Sequence, residues 1–389
     1  MKKATVIIPT YNERGNIEKT TQALQAVFKK IKNWQMNMLV VDDSSPDKTY
    51  ELVKELQIEQ KNLHLLLNKE KSGLGGAYLK GMNYAFTKLK ADVVFEFDAD
   101  LSHDPEKIPL MLKKINEGAD FVLGSRYMRG GGIPEDWGIH RKFLSIFGNV
   151  IIRLILSNFK IRDWTTGYRA IKRKVFEAVG PEMTGQEFSG YTFQVGFLHK
   201  TQKKGFKIVE IPFKFRDRTI GKSKIGPEFI INNLVYLIRV RAKEILEHRV
   251  FKFVVVGTIG AFTQLITLQI WRTIGIFYQL AFFMSIECSI VVNFTLSNFW
   301  TFSDRKLKLR QVPVKFVQFN LAAGGSIVIQ QIIALLGEFL IGLKPLFKIP
   351  IIGAIFDTGM LYAVIGILVG MFWNFFAYNK FIWKAKKEN

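Results

Sequence analysis

What most constrains this chain is where its charge-free runs lie. Nearly every long apolar run falls beyond residue 250. About four spans can be drawn there, roughly 253–271, 276–300, 316–340 and 358–379, each near the ~20 residues a helix needs to cross a bilayer. The chain reads as a soluble front and a membrane back. Arg305, Lys306, Lys308, Arg310 and Lys315 lie between the second and third spans, and Lys380, Lys384, Lys386 and Lys387 follow the fourth. The positive-inside rule puts both clusters in the cytoplasm. An even number of spans then places the front and both termini on that side, in an integral protein of the cell membrane.

Charge and cysteine content narrow the partners. Lys and Arg number 55 against 33 Asp and Glu, a formal net charge of +22. The basic residues flank apolar segments and no nucleic-acid motif is present, so the excess points to a membrane surface and phosphate ligands, not to nucleic acid. Cys288 is the single cysteine, which excludes a disulfide framework or a cysteine metal site and suits a reducing compartment. Met1 to Ala4 leads straight into a strand-like run, so no cleaved leader is expected.

The front is an α/β domain. TVIIP, MLVVDD, LHLLLN, VVFEFD and FVLGS alternate with amphipathic stretches between residue 4 and about 125, the pattern of a mostly parallel, helix-covered sheet. Ligands belong at the carboxyl ends of such strands. Three of the five runs end there in polar residues: Thr10-Tyr11-Asn12-Glu13, Asp42-Asp43-Ser44 and Asp98-Ala99-Asp100. Two later stretches, Arg141 to Lys160 and Glu228 to His248, place apolar residues at helical spacing between basic flanks. Both read as helices lying in the membrane interface, the alternative being amphipathic core helices.

The back repeats itself. Lys252-Phe253-Val254 and Lys315-Phe316-Val317 open two pairs of spans, and Asn293-Phe294-x-x-x-Asn298 and Asn374-Phe375-x-x-x-Asn379 close them. Two helical hairpins in the same orientation are implied. Glu287 near the middle of the second span is a costly residue at that depth, expected either to serve a function or to be satisfied by neighbours such as Gln264 or Asn293.

VVFEFDADLSHDP, residues 93–105, runs a hydrophobic strand into a knot of carboxylates. Asp98 and Asp100 are one residue apart, so an extended chain turns both to one face. Two carboxylates that close repel unless a hard divalent cation, Mg²⁺ or Mn²⁺, joins them, and that ion would also bridge a diphosphate. Asp104 before Pro105 reads instead as a helix cap. Tyr11 offers a ring to stack on a nucleobase, and Glu13 or Asp43 can accept from base N–H groups. In GLGGAY, Tyr78 stands where a dinucleotide fingerprint has its third glycine, so these glycines read as close-packing positions.

PTYNE at 9–13, VVDDSSPD at 40–47, GLGGAY at 73–78, DADLSHDP at 98–105, GSRY at 124–127, DWTTGYRA at 163–170 and RTIGKSK at 218–224 together resemble the inverting family-two glycosyltransferases, specifically the dolichyl-phosphate mannose synthases. The part from about 249 is similar to the four-helix GtrA type of membrane protein. The resemblance implies a GT-A fold over 1–225, an interface helix over 226–248 and a four-span domain over 249–389. It implies transfer of mannose from GDP-mannose to dolichyl or another polyprenyl phosphate, with Mg²⁺ or Mn²⁺. Carried over by position, Pro9, Tyr11, Glu13, Val41 and Asp43 hold the nucleoside, and Asp98, Ala99 and Asp100 meet the diphosphate. Asp98, Asp100 and, through water, Ser102 hold the metal. Arg218 and Lys224 neutralise phosphate from a loop bracketed by Gly221 and Gly226. Arg126, Arg141 and Ser145 bind the acceptor phosphate, with Arg169 a further candidate; Asp100, Arg126 and Arg141 carry the catalytic burden. Arg141 and Ser145 are four apart, hence on one helix face. Two departures stand out: Ser102 where some relatives have Gln, and Gly196 where many have Glu. Two alternatives stay open: a UDP-sugar transferase acting on undecaprenyl phosphate, and a lipid-linked sugar flippase or scaffold whose front only binds nucleotide.

Overall fold

The computed structural model describes residues 1–188, 190–217, 227–276, 278–342, 344–348 and 355–383. The chain divides into two compact units, Met1–Arg241 and Ala242–Asn389. In the first, the elements in order are β1 (Lys2–Thr10), α1 (Arg14–Phe28), β2 (Trp34–Asp42), α2 (Thr49–Glu59), β3 (Leu63–Leu67), α3 (Gly73–Thr87), β4 (Val93–Glu96), α4 (Ile108–Asn116), β5 (Phe121–Ser125), α5 (Ile139–Ile155), β6 (Arg169–Lys172), α6 (Arg173–Val179), α7 (Thr192–Lys203), β7 (Ile208–Pro212) and α8 (Pro227–Glu247), which runs just past the division.

All five strands expected from sequence are present. They join β6 and β7 in one sheet of order β3-β2-β1-β4-β6-β5-β7. β6 runs antiparallel to both its neighbours, and the other pairings are parallel. Alternation along the strands fills both faces. Val6, Ile8, Val40 and Phe95 enter one core cluster, while Ile7, Leu39, Val41 and Val94 enter the other. Of the glycines in GLGGAY, Gly75 is a close-packing position, as expected, while Gly73 takes a left-handed φ of 71° at the start of α3. A Cβ on Gly75 would sit 1.8 Å from the Phe188 carbonyl oxygen, and further along α3 one on Gly81 would strike Ile7 and Val41. The strand order reverses direction at β1, with β2 on one side and β4 on the other, which leaves a crevice at their carboxyl ends.

α5 and α8 are not core helices. α5 buries only Asn149 and Ile152, while Ile139, Phe143, Leu144, Phe147, Val150 and Leu154 are exposed. On α8, Ile230, Ile231, Leu234, Val235 and Ile238 are exposed, and Tyr236 and Leu237 turn into the core. The Tyr236 ring meets Phe188 edge-on, and its hydroxyl would lie 3.3 Å from a Cβ at Gly196. A glutamate at 196 has no room beside α8 packed this way.

The second unit comprises α9 (Arg249–Thr273), α10 (Tyr278–Leu296), α11 (Val312–Ile341), the short strands β8 (Pro345–Lys348) and β9 (Ile355–Asp357), and α12 (Thr358–Ala377). The four helices occupy the places of the four expected spans. Among the described residues one stretch, Leu309–Ile329, is long and apolar enough by itself to cross a membrane. The sequence repeat has a structural counterpart. Helices α10 and α12 each end in a π-helical turn, Ser297–Thr301 and Tyr378–Ile382. The two hairpin-opening phenylalanines cross over: Phe253 packs edge-on against Phe375 and Phe316 against Phe294, both with centroids 5.3 Å apart. Phe302 and Trp383, which match in the repeat, stack on each other at 4.4 Å. Asn298 Oδ1 accepts from Trp383 Nε1, and its mate Asn379 Oδ1 accepts from Arg305 Nη1. Glu287 accepts a hydrogen bond from Asn320 Nδ2 at 3.4 Å, a partner the sequence did not single out.

Each crossed phenylalanine pair should contribute alike, by van der Waals packing and ring geometry worth about 1 kcal/mol. Phe253→Ala and Phe316→Ala should therefore lower the thermal transition of the detergent-solubilised chain by similar amounts; a silent Phe316→Ala beside a damaging Phe253→Ala would refute the equivalence.

Candidate active site

Three strand ends turn sharply through residues with left-handed φ: Asn12 (60°) after β1, Ser44 (51°) after β2 and Leu101 (59°) after β4. Short polar side chains hold the first two turns. Asp42 accepts from Thr10 Oγ1 and from the Ser45 amide and hydroxyl, Ser45 Oγ accepts the Asn12 N–H, and Thr49 Oγ1 accepts the Glu13 N–H. Pro9, Tyr11 and Glu13 line this edge half-buried. Lys71 Nζ lies 4.0 Å from the Tyr11 ring centroid, over its face. Two nucleoside candidates stand differently from expectation. Val41 is fully buried in the core, which keeps its side chain out of the crevice. Asp43 accepts from Asn68 Nδ2, from the Ser72 amide and hydroxyl and from the Gly73 N–H. Four such bonds fill a carboxylate. Asp43 therefore clamps the start of α3.

The turn after β4 is held by its own side chains. The Asp98 N–H donates to His103 Nδ1 at 3.1 Å, and the Ser102 N–H donates to Asp100 Oδ1 at 3.0 Å. Asp104 caps the following turn, accepting the Glu106 N–H, as the sequence predicts. Ala99 is buried and its carbonyl accepts from Thr20 Oγ1. Ser102 is buried too, and its carbonyl accepts the Arg216 N–H. That placement makes Ser102 a brace of the turn and leaves it a poor metal donor. Asp98 and Asp100 are half-exposed at the open sheet edge. Two hard oxygen donors there fit Mg²⁺ or Mn²⁺. Among the described residues no three His, Cys, Asp or Glu side chains are grouped to cage an ion by themselves.

The acceptor candidates are brought together around α5. Arg126 makes a bidentate pair with buried Asp163, 2.8 Å at each contact, and also donates to Thr165 Oγ1. Burial alone would lower the Arg126 pKa, but Asp163 more than offsets it and pushes it further up. Ser145 Oγ lies 2.6 Å from the Tyr127 hydroxyl. One turn on, Asn149 donates to Thr165 Oγ1 and accepts the Trp164 N–H. Arg141 donates to Asp217 at 2.9 Å and stacks over Trp137, whose indole N–H donates to the same carboxylate. Arg218 and Lys224 lie outside the described residues. Sequence reasoning missed Asn149, Asp163, Asp217, Lys71 and His103. Of these only Asn149 had a readable signal: it continues the 141–145 spacing by one more turn.

Residues 5–180 match the family described as glycosyl transferase family 2, and residues 252–383 match the GtrA/DPMS transmembrane domain. The chain is 31% identical over 363 residues to the dolichol-phosphate mannosyltransferase of Pyrococcus furiosus, covering 93% of this chain and 97% of that one. This chain belongs to that glycosyltransferase family. The polyprenol monophosphomannose synthase of Mycolicibacterium smegmatis and the undecaprenyl-phosphate mannosyltransferase of Micrococcus luteus are each 36% identical, covering 58% of this chain and 82% and 88% of theirs.

Beneath the edge, this glycosyltransferase carries a buried polar cluster. Glu96 of β4 and Arg169 of β6 are fully buried, with Nε 3.8 Å from Oε2. Arg169 Nε also donates to the Thr166 carbonyl. Arg169, raised as an acceptor candidate, is thus out of reach of a lipid phosphate. Burial pushes Glu96 up to about 7, against the opposing pull of Arg169 and Gln194. Folded Glu96 therefore keeps its proton across a window, from its ordinary 4.5 to about 7, in which the unfolded chain has lost it. Its contribution to stability falls as pH rises through that window. Glu96→Gln should narrow the gap between thermal midpoints at pH 5 and pH 7.5; an unchanged gap would count against the assignment.

Proposed function

We propose that the chain transfers mannose, with inversion, from GDP-mannose to dolichyl or a related polyprenyl phosphate, at the cytoplasmic face of the cell membrane. One observation carries the lipid acceptor. α5 turns Arg141, Ser145 and Asn149 inward, while Phe143, Phe147, Val150 and Leu154 face out from the opposite side. A helix so divided can rest in the headgroup layer and offer cations at phosphate depth. Four expected spans, with Lys and Arg between the second and third and after the fourth, support a cytoplasmic catalytic unit and cytoplasmic termini by the positive-inside rule.

A divalent ion held by Asp98 and Asp100 would supply charge neutralisation at the departing diphosphate. Tyr11 offers its ring to the base, in exchange for Lys71, while Pro9, Glu13 and the loop clamped by Asp43 shape the nucleoside pocket. Arg126 and Arg141 are oriented by Asp163 and Asp217 to receive the acceptor phosphate. That phosphate is mostly ionised at pH 7, its second pKa being about 6, so no protein group has to remove a proton from it. Attack on the anomeric carbon from the face opposite the nucleotide inverts it. Alignment and charge placement are the main work left to the protein.

The likeness to three mannosyl-transferring relatives supports mannose over a UDP-sugar. The decisive assay offers the purified chain GDP-mannose, UDP-glucose and UDP-GlcNAc with dolichyl or undecaprenyl phosphate and weighs the lipid product. A polyprenyl-phosphate hexose from GDP-mannose alone is expected; product from a UDP-sugar would overturn the donor. Asp100→Ala should lower transfer by about a hundredfold or more with the thermal midpoint little changed, and substantial activity in saturating Mg²⁺ or Mn²⁺ would remove the ion from Asp100.

A further inference from the structure

The loop that carries Asp163 is held by side chains. From Arg162 to Thr165, four successive amides each donate to one. The Arg162 N–H is shared between the two Glu210 oxygens, 3.1 Å from each, and the Asp163 N–H donates to Glu210 Oε1 at 3.0 Å. The Trp164 N–H donates to Asn149 Oδ1 at 2.8 Å, and the Thr165 N–H to Asp163 Oδ1 at 3.3 Å. Backbone donors answered in this way belong to no strand ladder, so the segment sits where those acceptors put it.

Of the three accepting residues only Glu210 stands on the sheet. It lies opposite Leu123 in the β5–β7 pairing, with Pro212 opposite Ser125, the residue before Arg126. Pairing with β7 thus places the root of Arg126, and Glu210 on that same strand places the loop that receives its tip. There Asp163 takes Arg126 Nε and Nη2 at 2.8 Å each and the Arg126 N–H at 3.0 Å, while Thr165 Oγ1 takes Nη2 at 2.7 Å. The Asp163 side chain is fully buried and that of Arg126 is 9% exposed, so a displaced loop would carry the guanidinium with it. Glu210 is itself half-buried, and burial pushes its pKa up against the pull of the two amides. A strand side chain needed only to fill that space would be apolar, because a buried carboxylate is costly.

We infer that Glu210 is a positioning residue for the acceptor site: by holding the Arg162 and Asp163 amides to β7 it sets the Asp163 carboxylate, and through it the direction in which the Arg126 guanidinium meets the lipid phosphate. The inference rests on the acceptor reading of Arg126 above. A shift of about 1 Å in such a group can cost up to a hundredfold.

The test uses the full chain in detergent micelles containing dolichyl phosphate, with GDP-mannose as donor, and reads the two KM values separately. Glu210→Ala removes both oxygens; it should raise the acceptor KM about tenfold or more and leave the donor KM within about twofold, which a misfolded sheet would not allow. Glu210→Gln keeps an oxygen that can take both amides and should stay within about threefold of the wild type. Glu210→Asp keeps the charge but stops one methylene short, so it should lose acceptor affinity as the alanine variant does, and it takes that variant's place should alanine not fold. Because Glu210 acts through Arg126, Glu210→Ala added to Arg126→Lys should worsen the acceptor KM little beyond Arg126→Lys alone. A wild-type acceptor KM in the alanine or aspartate variant, a parallel rise in donor KM, or losses that multiply in the double variant would overturn the positioning role. A wild-type acceptor KM in Arg126→Lys would instead overturn the acceptor reading of Arg126, and the inference with it, and a wild type that forms no lipid-linked mannose would overturn the proposed transfer itself.

Discussion

Everything at the candidate site depends on how the chain leaves β4. An apolar strand buried on both faces ends at a cluster of acids, and the backbone must reverse there without pulling those acids into the core. The turn from Asp98 to His103 achieves this with local partners: the Asp98 N–H finds His103, the Ser102 N–H finds Asp100, and Leu101 takes the left-handed conformation. Asp104 then begins the next turn. The outcome is two half-exposed carboxylates at the switch point of the sheet, opposite the polar ends of β1 and β2, where an anion bound through a cation is best received.

The candidate acceptor side is organised by pairs of opposite charge. A buried guanidinium is tolerable only when its charge is met, and Asp163 meets that of Arg126 at two nitrogens. Glu210 in turn accepts the Arg162 and Asp163 N–H groups from β7. Loop 162–166, β7 and α5 are thereby joined in one hydrogen-bonded network. The same helix that this network grips presents an apolar face outward, which explains why α5 looks amphipathic yet buries so little of its hydrophobic surface.

The second unit follows another economy. Its two hairpins exchange equivalent contacts, with Phe253 on Phe375 and Phe316 on Phe294, and equivalent residues Phe302 and Trp383 stacked together. Small residues allow the close approaches: a Cβ on Gly260 would collide with Asn293, and one on Gly325 with Trp373. Where lipid is as apolar as the side chains, such fitted contacts and the Asn298 and Asn379 hydrogen bonds hold helices together better than hydrophobicity can.

Contiguous residues determined the five principal strands, the polar strand end at residues 10–13, the acid pair at Asp98 and Asp100, the Asp104 cap, the packing of Gly75 and the duplicated back. All rest on periodicity or on turn chemistry within a few residues, which a linear reading can follow. The antiparallel β6 between β4 and β5, the burial of Val41 and Ser102 and the saturation of Asp43 were decided only in three dimensions. So was the Arg126 pairing, whose partner Asp163 is 37 residues away. A charge or an aromatic ring announces that it needs a neighbour, but which neighbour it obtains is set by chain closure over distances that local sequence does not encode.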